Sequence, residues 1–539
     1  MKQNRRARLE IVIVTALVLA GSVRGADWPQ WGGRDERNFV SQETGIPASF
    51  APAVKGNREK GIQAAPAKNL KWVAKLGSKT YGNPTVSGGR VFIGTNDASL
   101  ADPRVKKSGG GMVMCLDEAT GARLWQLPIP AMKTKDRNFN YDTLNLGVCS
   151  SPAVDGDRVY VVGNRGDVLC LDVEGQANGN DGPFQDEGRY MVGPGTLPGK
   201  PGRFEEWPEP PKAVKVEPGD ADIVWRFDML AQPVDSWPQD AVDCSILVHG
   251  DYLYVCTSNG VDRSHRVRPS PNAPDIIVLD KKTGRLVAGN DHPIGNAIFH
   301  GEWSSPSLAR LGDRALVLWG GGDGFCYAFD PKFVPGKDGE LGVLKTAWKF
   351  DCNPPHNKHR DGKLLPYNKN REGPSEIIGT PVSCEGRVFV TVGQDSRHGP
   401  GPGCMSCIDP TKTGDVTETA RVWQYFDLGR SFSTPSVVGD LVFVADYGGK
   451  VHCLDAKTGR PHWTHDLKAH VWGSTFAVDG KVFVGDEKGK LTVFACDNEK
   501  KVLATMTFDV PVYATPIAAN GVLYVTTETH LYAVQADKP

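Results

Sequence analysis

Toward the C-terminus, short runs of alternating apolar and polar residues are punctuated by glycine. Gly439, Gly480 and Gly521 recur every 41 residues, and each is followed by a short apolar run: Leu441-Val442-Phe443-Val444, Lys481-Val482-Phe483-Val484 and Val522-Leu523-Tyr524-Val525. Short runs rich in β-branched and aromatic residues, with period two and bounded by turn residues, predict β-strands and exclude amphipathic helices. The same turn appears upstream at Gly88, Gly156, Gly250 and Gly386. A looser copy at Gly312-Asp313 precedes Ala315-Leu316-Val317-Leu318, which makes eight.

Each copy continues into a third strand that ends on aspartate and a turn, as in Cys115-Leu116-Asp117-Glu118-Ala119-Thr120-Gly121, Val278 to Gly284 and Cys453 to Gly459. The aspartate can fold back on nearby backbone N–H groups, and the glycine supplies a positive φ. A tryptophan follows in the fourth strand: Trp125 and Trp463 after tight turns, Trp225, Trp348 and Trp423 after longer ones. An aromatic there can seal the gap between neighbouring sheets. Two copies depart, with Ala288 and Leu503 expected in its place.

Four short strands in a repeat of about 40 residues predict an all-β fold, an eight-bladed β-propeller of four-stranded blades. The eighth copy stops at Leu531-Tyr532-Ala533-Val534 without a fourth strand. Leu70-Lys71-Trp72-Val73, which carries the tryptophan, is expected to supply it and so remove the last exposed sheet edge. The expected organisation is a leader over residues 1–25, an extension over 26–69 and the propeller over 70–539, interrupted by an insertion at 176–221. That Gly- and Pro-rich insertion reads as a solvated, poorly packed excursion.

Charge and cysteine content narrow the function. Sixty-two basic and 63 acidic residues leave a net charge of −1, which gives no basis for nucleic acid as a partner. Lys2, Arg5, Arg6 and Arg8 precede an apolar run, Ile11 to Ala20, and Val23-Arg24-Gly25. This pattern predicts a signal peptide cleaved after Gly25, a periplasmic or extracellular protein, and no integral membrane span after cleavage. Twelve cysteines are present, none adjacent to another. Cys115, Cys170, Cys407 and Cys453 each stand two residues before a strand-ending aspartate. This is one repeated position, where a small side chain packs and free thiols are expected.

The run Pro-x-Val…Gly-x-Val-Tyr/Phe-Val…Leu-Asp-x-x-Thr-Gly-x-x-x-Trp resembles the pyrroloquinoline-quinone-like propeller repeat over roughly residues 70–535. The resemblance implies one of two kinds of function. Quinoprotein alcohol dehydrogenases hold the quinone and a metal ion on the propeller axis, with the quinone stacked against a disulfide between adjacent cysteines. The outer-membrane assembly lipoprotein B group binds protein partners without a cofactor. This sequence has no adjacent cysteines, and no family ligand motif maps onto Asp240, Asp243, Glu302 or Glu376.

Long connections at 97–110, 128–145, 260–275, 351–376 and 394–402 are expected to open on one face of blades 1 to 5. Long loops on a rigid scaffold commonly carry binding. Residues just before each innermost strand should reach the channel mouth: Lys79, Tyr81, Asp240, Asp243, His300, Glu302, Trp303, Glu376, Arg430, His470 and Trp472. They could bind a polar ligand, or line a water-filled channel as mutually paired charges. No catalytic or metal-ligating set is assigned. The expectation is a non-enzymatic binding or scaffold propeller for an envelope protein, glycan or small ligand, with no cofactor. The alternative is a dehydrogenase using pyrroloquinoline quinone with calcium.

Overall fold

The structure is a computed structural model that describes residues 25–52, 68–132, 144–193, 211–237, 243–260, 267–298, 302–337, 339–365, 374–396 and 402–537. The expected leader therefore lies outside the described residues. Eight antiparallel sheets follow one another along the chain, each running from an innermost strand 1 to an outermost strand 4. Blade 1 takes Thr85–Ser87, Arg90–Asn96, Gly111–Asp117 and Arg123–Ile129, and blade 7 ends with Val502–Thr507. In blade 8, Ile517–Ala519, Val522–Thr526 and His530–Val534 are completed by Leu70–Lys75, antiparallel to the last of these. The ring closes with a strand from the opposite end of the sequence, as expected. The glycines of all eight strand 1–strand 2 turns have positive φ. At Asn520-Gly521 both residues do, at 53° and 75°, the geometry that matches the twist of a two-residue hairpin.

Strand 4 explains both the repeated tryptophans and the repeated cysteines. Cys115, Cys170, Cys407 and Cys453 lie directly opposite Trp125, Trp225, Trp423 and Trp463, and Ala328 and Ala533 lie opposite Trp348 and Trp72. Each indole needs a small cross-strand neighbour, because it must lean out of its own sheet toward the next blade. There Trp72 donates to Glu118 O, Trp225 to Lys281 O and Trp463 to Asp497 O, carbonyls just past strand 3, at 3.0, 3.1 and 3.0 Å. The turn glycine of that next blade lies flat on the ring. A Cβ on Gly121 would come within 2.6 Å of Trp72, and one on Gly459 within 2.5 Å of Trp423. The expected aspartate turn also forms: Asp117, Asp280 and Asp455 each accept from both the N–H and the hydroxyl of the threonine three residues on.

Register corrects one assignment. Val493 pairs with Ala504, so Ala504 rather than Leu503 takes the tryptophan's place in blade 7; its strand 3–strand 4 turn is one residue longer, Phe494 pairing with Val502 where blade 6 pairs Leu454 with Pro461. Alanine thus replaces the indole in both tryptophan-less blades, since Ala288 pairs with Val278.

All twelve cysteines are free. Burial pushes the thiols of Cys115 and Cys170 well up, and those of Cys407 and Cys453 to about 12. A thiol held that far from its thiolate is unreactive. The native protein is therefore expected to leave these four unalkylated by iodoacetamide at pH 8. Peptide mapping should find them labelled only after denaturation, and a disulfide to any of them would contradict the register.

The residues before the ring do not lie idle. Residues 26–43 cross one end of the central channel and touch the innermost strand, or the residue just before it, in all eight blades. Trp28 pairs with Val86, and Pro29 O accepts from Val154 N. Arg37 donates to Ile246 O and Pro306 O in blades 3 and 4, and Glu36 O accepts from Ser383 N in blade 5. Asn38 bonds both backbone groups of Val437, Phe39 O accepts from Ala477 N, and Ser41 reaches Ala518 O. Glu43 then accepts from Gly521 N and from Ala26 N, closing the segment on its own beginning. The inner edges of eight sheets carry backbone groups that need partners, and this segment supplies them. Trp28, tilted, and Trp31, edge-on, both pack against Phe39, at 6.2 and 4.8 Å.

The insertion is solvated over 177–183 and 217–219, as the sequence suggested, but residues 187–191 pack inward. Tyr190 and Met191 are buried, Tyr190 OH donates to Asp167 at 2.9 Å, and Arg165 lies 4.6 Å over the Tyr190 ring.

Candidate functional site

The channel mouth is built by the residues that precede strand 1. Two layers form there from one repeated tripeptide. The inner layer is a circle of hydroxyl and amide side chains. Asn83 N donates to Ser151 Oγ at 2.9 Å, Ser151 N to Ser245 Oγ at 3.0 Å and Ser245 N to Ser305 Oγ at 2.9 Å. Thr380 N donates to Thr434 Oγ1 at 3.0 Å, Thr434 N to Ser474 Oγ at 2.9 Å and Ser474 N to Thr515 Oγ1 at 2.8 Å. Thr515 N returns to Asn83 Oδ1 at 3.2 Å. Between blades 4 and 5 the link is made by Ser304 Oγ to Gly379 O, at 3.0 Å. Each blade thus hands a hydrogen bond to the next, which fixes blade spacing at the axis.

Two residues earlier, on the same side of an extended chain, stand Tyr81, Cys149, Asp243, Trp303, Ile378, Phe432, Trp472 and Tyr513. Five of these are aromatic, and four run consecutively round blades 6, 7, 8 and 1. Phe432 lies 5.5 Å from Trp472, Trp472 is edge-on to Tyr513 at 6.1 Å, and Tyr513 stacks on Tyr81 at 5.0 Å. Tyr447 joins from blade 6, at 5.0 Å from Phe432 and 5.1 Å from Trp472. Its two faces hold cationic or polar partners: the Arg430 guanidinium 4.4 Å from the centroid, and the His470 ring stacked at 4.3 Å. His470 Nδ1 also donates to Tyr447 O at 2.9 Å.

Carboxylates flank this aromatic arc. Trp472 Nε1 donates to Glu487 at 3.0 Å. Glu528 is raised above the usual carboxylate range by burial, against the opposing pull of Lys79. Burial raises Asp243 to about 6, while the adjacent Cys149 thiol hydrogen-bonds to it. Tyr81 is raised by burial and by its neighbours Tyr513, Cys149, Glu528 and Asp243. Arg430 is lowered by burial.

The structure thus brings Tyr81, Trp472, Arg430 and His470 into one cluster, with Asp243 beside Tyr81. Lys79 is tied to Leu144 O at 3.0 Å, and Trp303 takes its place in the layer on the opposite side. Glu302 and Glu376 are buried. Glu376 accepts from Asp395 N at 3.0 Å, and Glu302 lies against Asp275, a carboxyl that burial raises to about 6. Asp240 and His300 lie outside the described residues. The sequence reading missed Phe432, Tyr447 and Tyr513. Aligning each repeat on its Ser/Thr-Pro or equivalent step would have found Phe432 and Tyr513. Tyr447 follows strand 2 and carries no such mark.

Comparison with known proteins is consistent with this architecture. The family model for outer membrane protein assembly factor BamB matches residues 109–178 and 407–504, which lie in blades 1 to 2 and 5 to 7. These matches are similarities to the pyrroloquinoline-quinone-like propeller family. Outer membrane protein assembly factor BamB of Burkholderia pseudomallei is 28% identical over 153 residues, covering 27% of this chain and 38% of that protein. Quinohemoprotein alcohol dehydrogenase ADH IIB of Pseudomonas putida is 24% identical over 466 residues, covering 69% and 64%. The chain therefore spans less than two thirds of either curated relative. The crystal structure of BamB from Moraxella catarrhalis superposes with a TM-score of 0.50 at 12% identity, over 86% of this chain and 97% of that one, a likeness of fold.

The described residues at the mouth do not reproduce a clamp of adjacent cysteines. Cys149 and Cys244, which adjoin the mouth, come from different blades, and both are free thiols. Cys244 Sγ donates to Glu302 O at 3.0 Å. Among the described residues, Asp243, Glu302 and Glu376 do not converge into a ligand group.

Proposed function

We propose that this propeller is a non-enzymatic binding protein of the cell envelope. Its channel mouth would receive an extended protein segment, a glycan or a small polar ligand. The observation that carries this reading is the continuous arc Phe432–Trp472–Tyr513–Tyr81, with Tyr447 between Arg430 and His470. Aromatic faces next to a cation and several carboxylates bind chains of mixed polarity, with large contact area and little rotamer entropy to lose. The opposite end of the channel is covered by residues 26–43, so a ligand would enter from this mouth. Similarity to an outer-membrane assembly factor supports a periplasmic or outer-membrane setting after removal of a leader. Among the described residues no helix is long and apolar enough to cross a membrane.

The test is capture from envelope extract followed by direct titration of the captured species. Trp472→Ala and Arg430→Ala are each expected to weaken that titration by tenfold or more, ~1.4 kcal/mol or above, with melting temperature unchanged. Adding pyrroloquinoline quinone with calcium is expected to give neither a quinone absorbance retained on the protein nor dye-linked alcohol oxidation. Retained quinone with turnover that is lost in Arg430→Ala would replace the binding reading with the dehydrogenase one.

A further inference from the structure

Blade 2 breaks the repeat at the strand 3–strand 4 turn. In blades 1, 3 and 6 the strand-ending aspartate is satisfied by the N–H and hydroxyl of a threonine three residues on. In blade 2 the sequence reads Asp172-Val173-Glu174-Gly175, and the insertion begins. Asp172 instead accepts from Glu174 N at 2.7 Å, Asn178 Nδ2 at 3.4 Å and Arg158 at 2.6 Å. It faces Asp222, the last residue before strand 4, and Asp181, from the loop Asn178-Gly179-Asn180-Asp181-Gly182.

We propose that Asp172, Asp181 and Asp222 form a calcium site that pins the insertion to the outer end of blade 2. One carboxylate oxygen from each lies within 4.8 Å of the other two. Oxygens on opposite sides of a calcium ion stand about 4.8 Å apart, twice a Ca–O distance of ~2.4 Å. A second observation is independent of this spacing. Asp222 is completely buried, and although its Oδ2 accepts from Asp181 N at 2.8 Å, its Oδ1 receives no hydrogen bond. A buried carboxylate oxygen with no donor is costly unless a cation meets it.

The surrounding charge points the same way. Asp222 is pushed to about 6, first by burial and then by Glu187, Asp172 and Asp181 around it. Glu187 is itself fully buried. Four carboxylates therefore share this corner, and the guanidinium bonded to them is Arg158, at 2.6 Å from Asp172. An all-oxygen, carboxylate-rich donor set on a glycine-containing loop suits calcium better than magnesium, which demands stricter octahedral geometry and keeps its waters.

The experiment uses the whole protein, stripped with EDTA and titrated with calcium chloride by calorimetry, with melting followed in parallel. One site per chain is expected. Calcium at ~100 times its Kd should raise the melting temperature by about 3 °C, and magnesium at the same concentration by much less. Asp181 is exposed, so Asp181→Asn should fold. It should weaken calcium binding at least tenfold, while its metal-free melting temperature stays at or above that of the unaltered chain because a repulsion is relieved. Asp222→Asn should abolish the calcium response. No binding heat and no shift in the unaltered protein would overturn the proposal. So would an undiminished calcium response in Asp181→Asn, or a lower metal-free melting temperature in that variant.

Discussion

Deleting residues 26–74 is expected to lower the melting temperature more than any single substitution and to make the protein aggregate on warming. Two losses combine. The first is strand 4 of blade 8: Trp72 leaves its seat on Gly121 and its bond to Glu118 O, and His530–Val534 becomes an open edge. Truncating a buried tryptophan alone costs about 3–5 kcal/mol, and a bare edge strand is a template for pairing with a second chain. The second is the cap, which supplies hydrogen bonds at the innermost strands of all eight blades. The two separate in a shorter deletion of residues 26–52. That variant should melt early yet scatter little light, since the closing strand remains. Trp72→Ala alone should lose about 3–5 kcal/mol by denaturant titration. A truncated chain that melts like the full one would mean that the ring is not held shut this way.

The ring was legible in the sequence because its signals are local and repeated. Glycine turns, aspartate turns and strand 4 tryptophans each follow from a few neighbouring residues, and eight copies average out exceptions such as the longer blade 7 turn that misplaced Leu503. The closing strand was legible for the same reason, since a missing element at one end matched an orphan at the other. The cap was not. Its partners are backbone groups hundreds of residues away, and Arg37 in the sequence looks like any surface arginine. The candidate site lies between these cases. The mouth-facing position of Tyr81, Asp243 and Trp472 followed from repeat register. Which residues meet depends on the direction of each ring, and so Tyr447 was missed while Glu302 and Glu376, at similar positions in sequence, turned out to be buried. The carboxylate corner in blade 2 was hidden because Asp172 and Asp222 are brought together only by closure of a 50-residue excursion that reads as loop.

Arg37 is expected to be the most sensitive single residue of the cap. It is completely buried and donates to Pro306 O, Ile246 O, Trp31 O and Gln30 Oε1, spanning blades 3 and 4. Hydrogen bonds from a charged donor contribute about 1.5–3 kcal/mol each, and a buried acceptor left without its donor costs about 1–3 kcal/mol. Arg37→Ala orphans several carbonyls at once and should cost about 4 kcal/mol. Arg37→Lys should recover little of this, because one ammonium on a flexible stem cannot reach acceptors arranged around a planar fork. The backbone supplies a control that separates side chain from conformation. Arg37 has φ of 60°, in the left-handed region. A non-glycine residue there bears ~1–2 kcal/mol of strain that glycine does not. Arg37→Gly should therefore be milder than Arg37→Ala by about 1 kcal/mol, the reverse of the order expected in ordinary extended or helical backbone. Denaturant titration of the three variants tests both parts. Equal losses for Ala and Gly would remove the backbone argument, and an Arg37→Ala loss below about 1 kcal/mol would remove the hydrogen-bond argument.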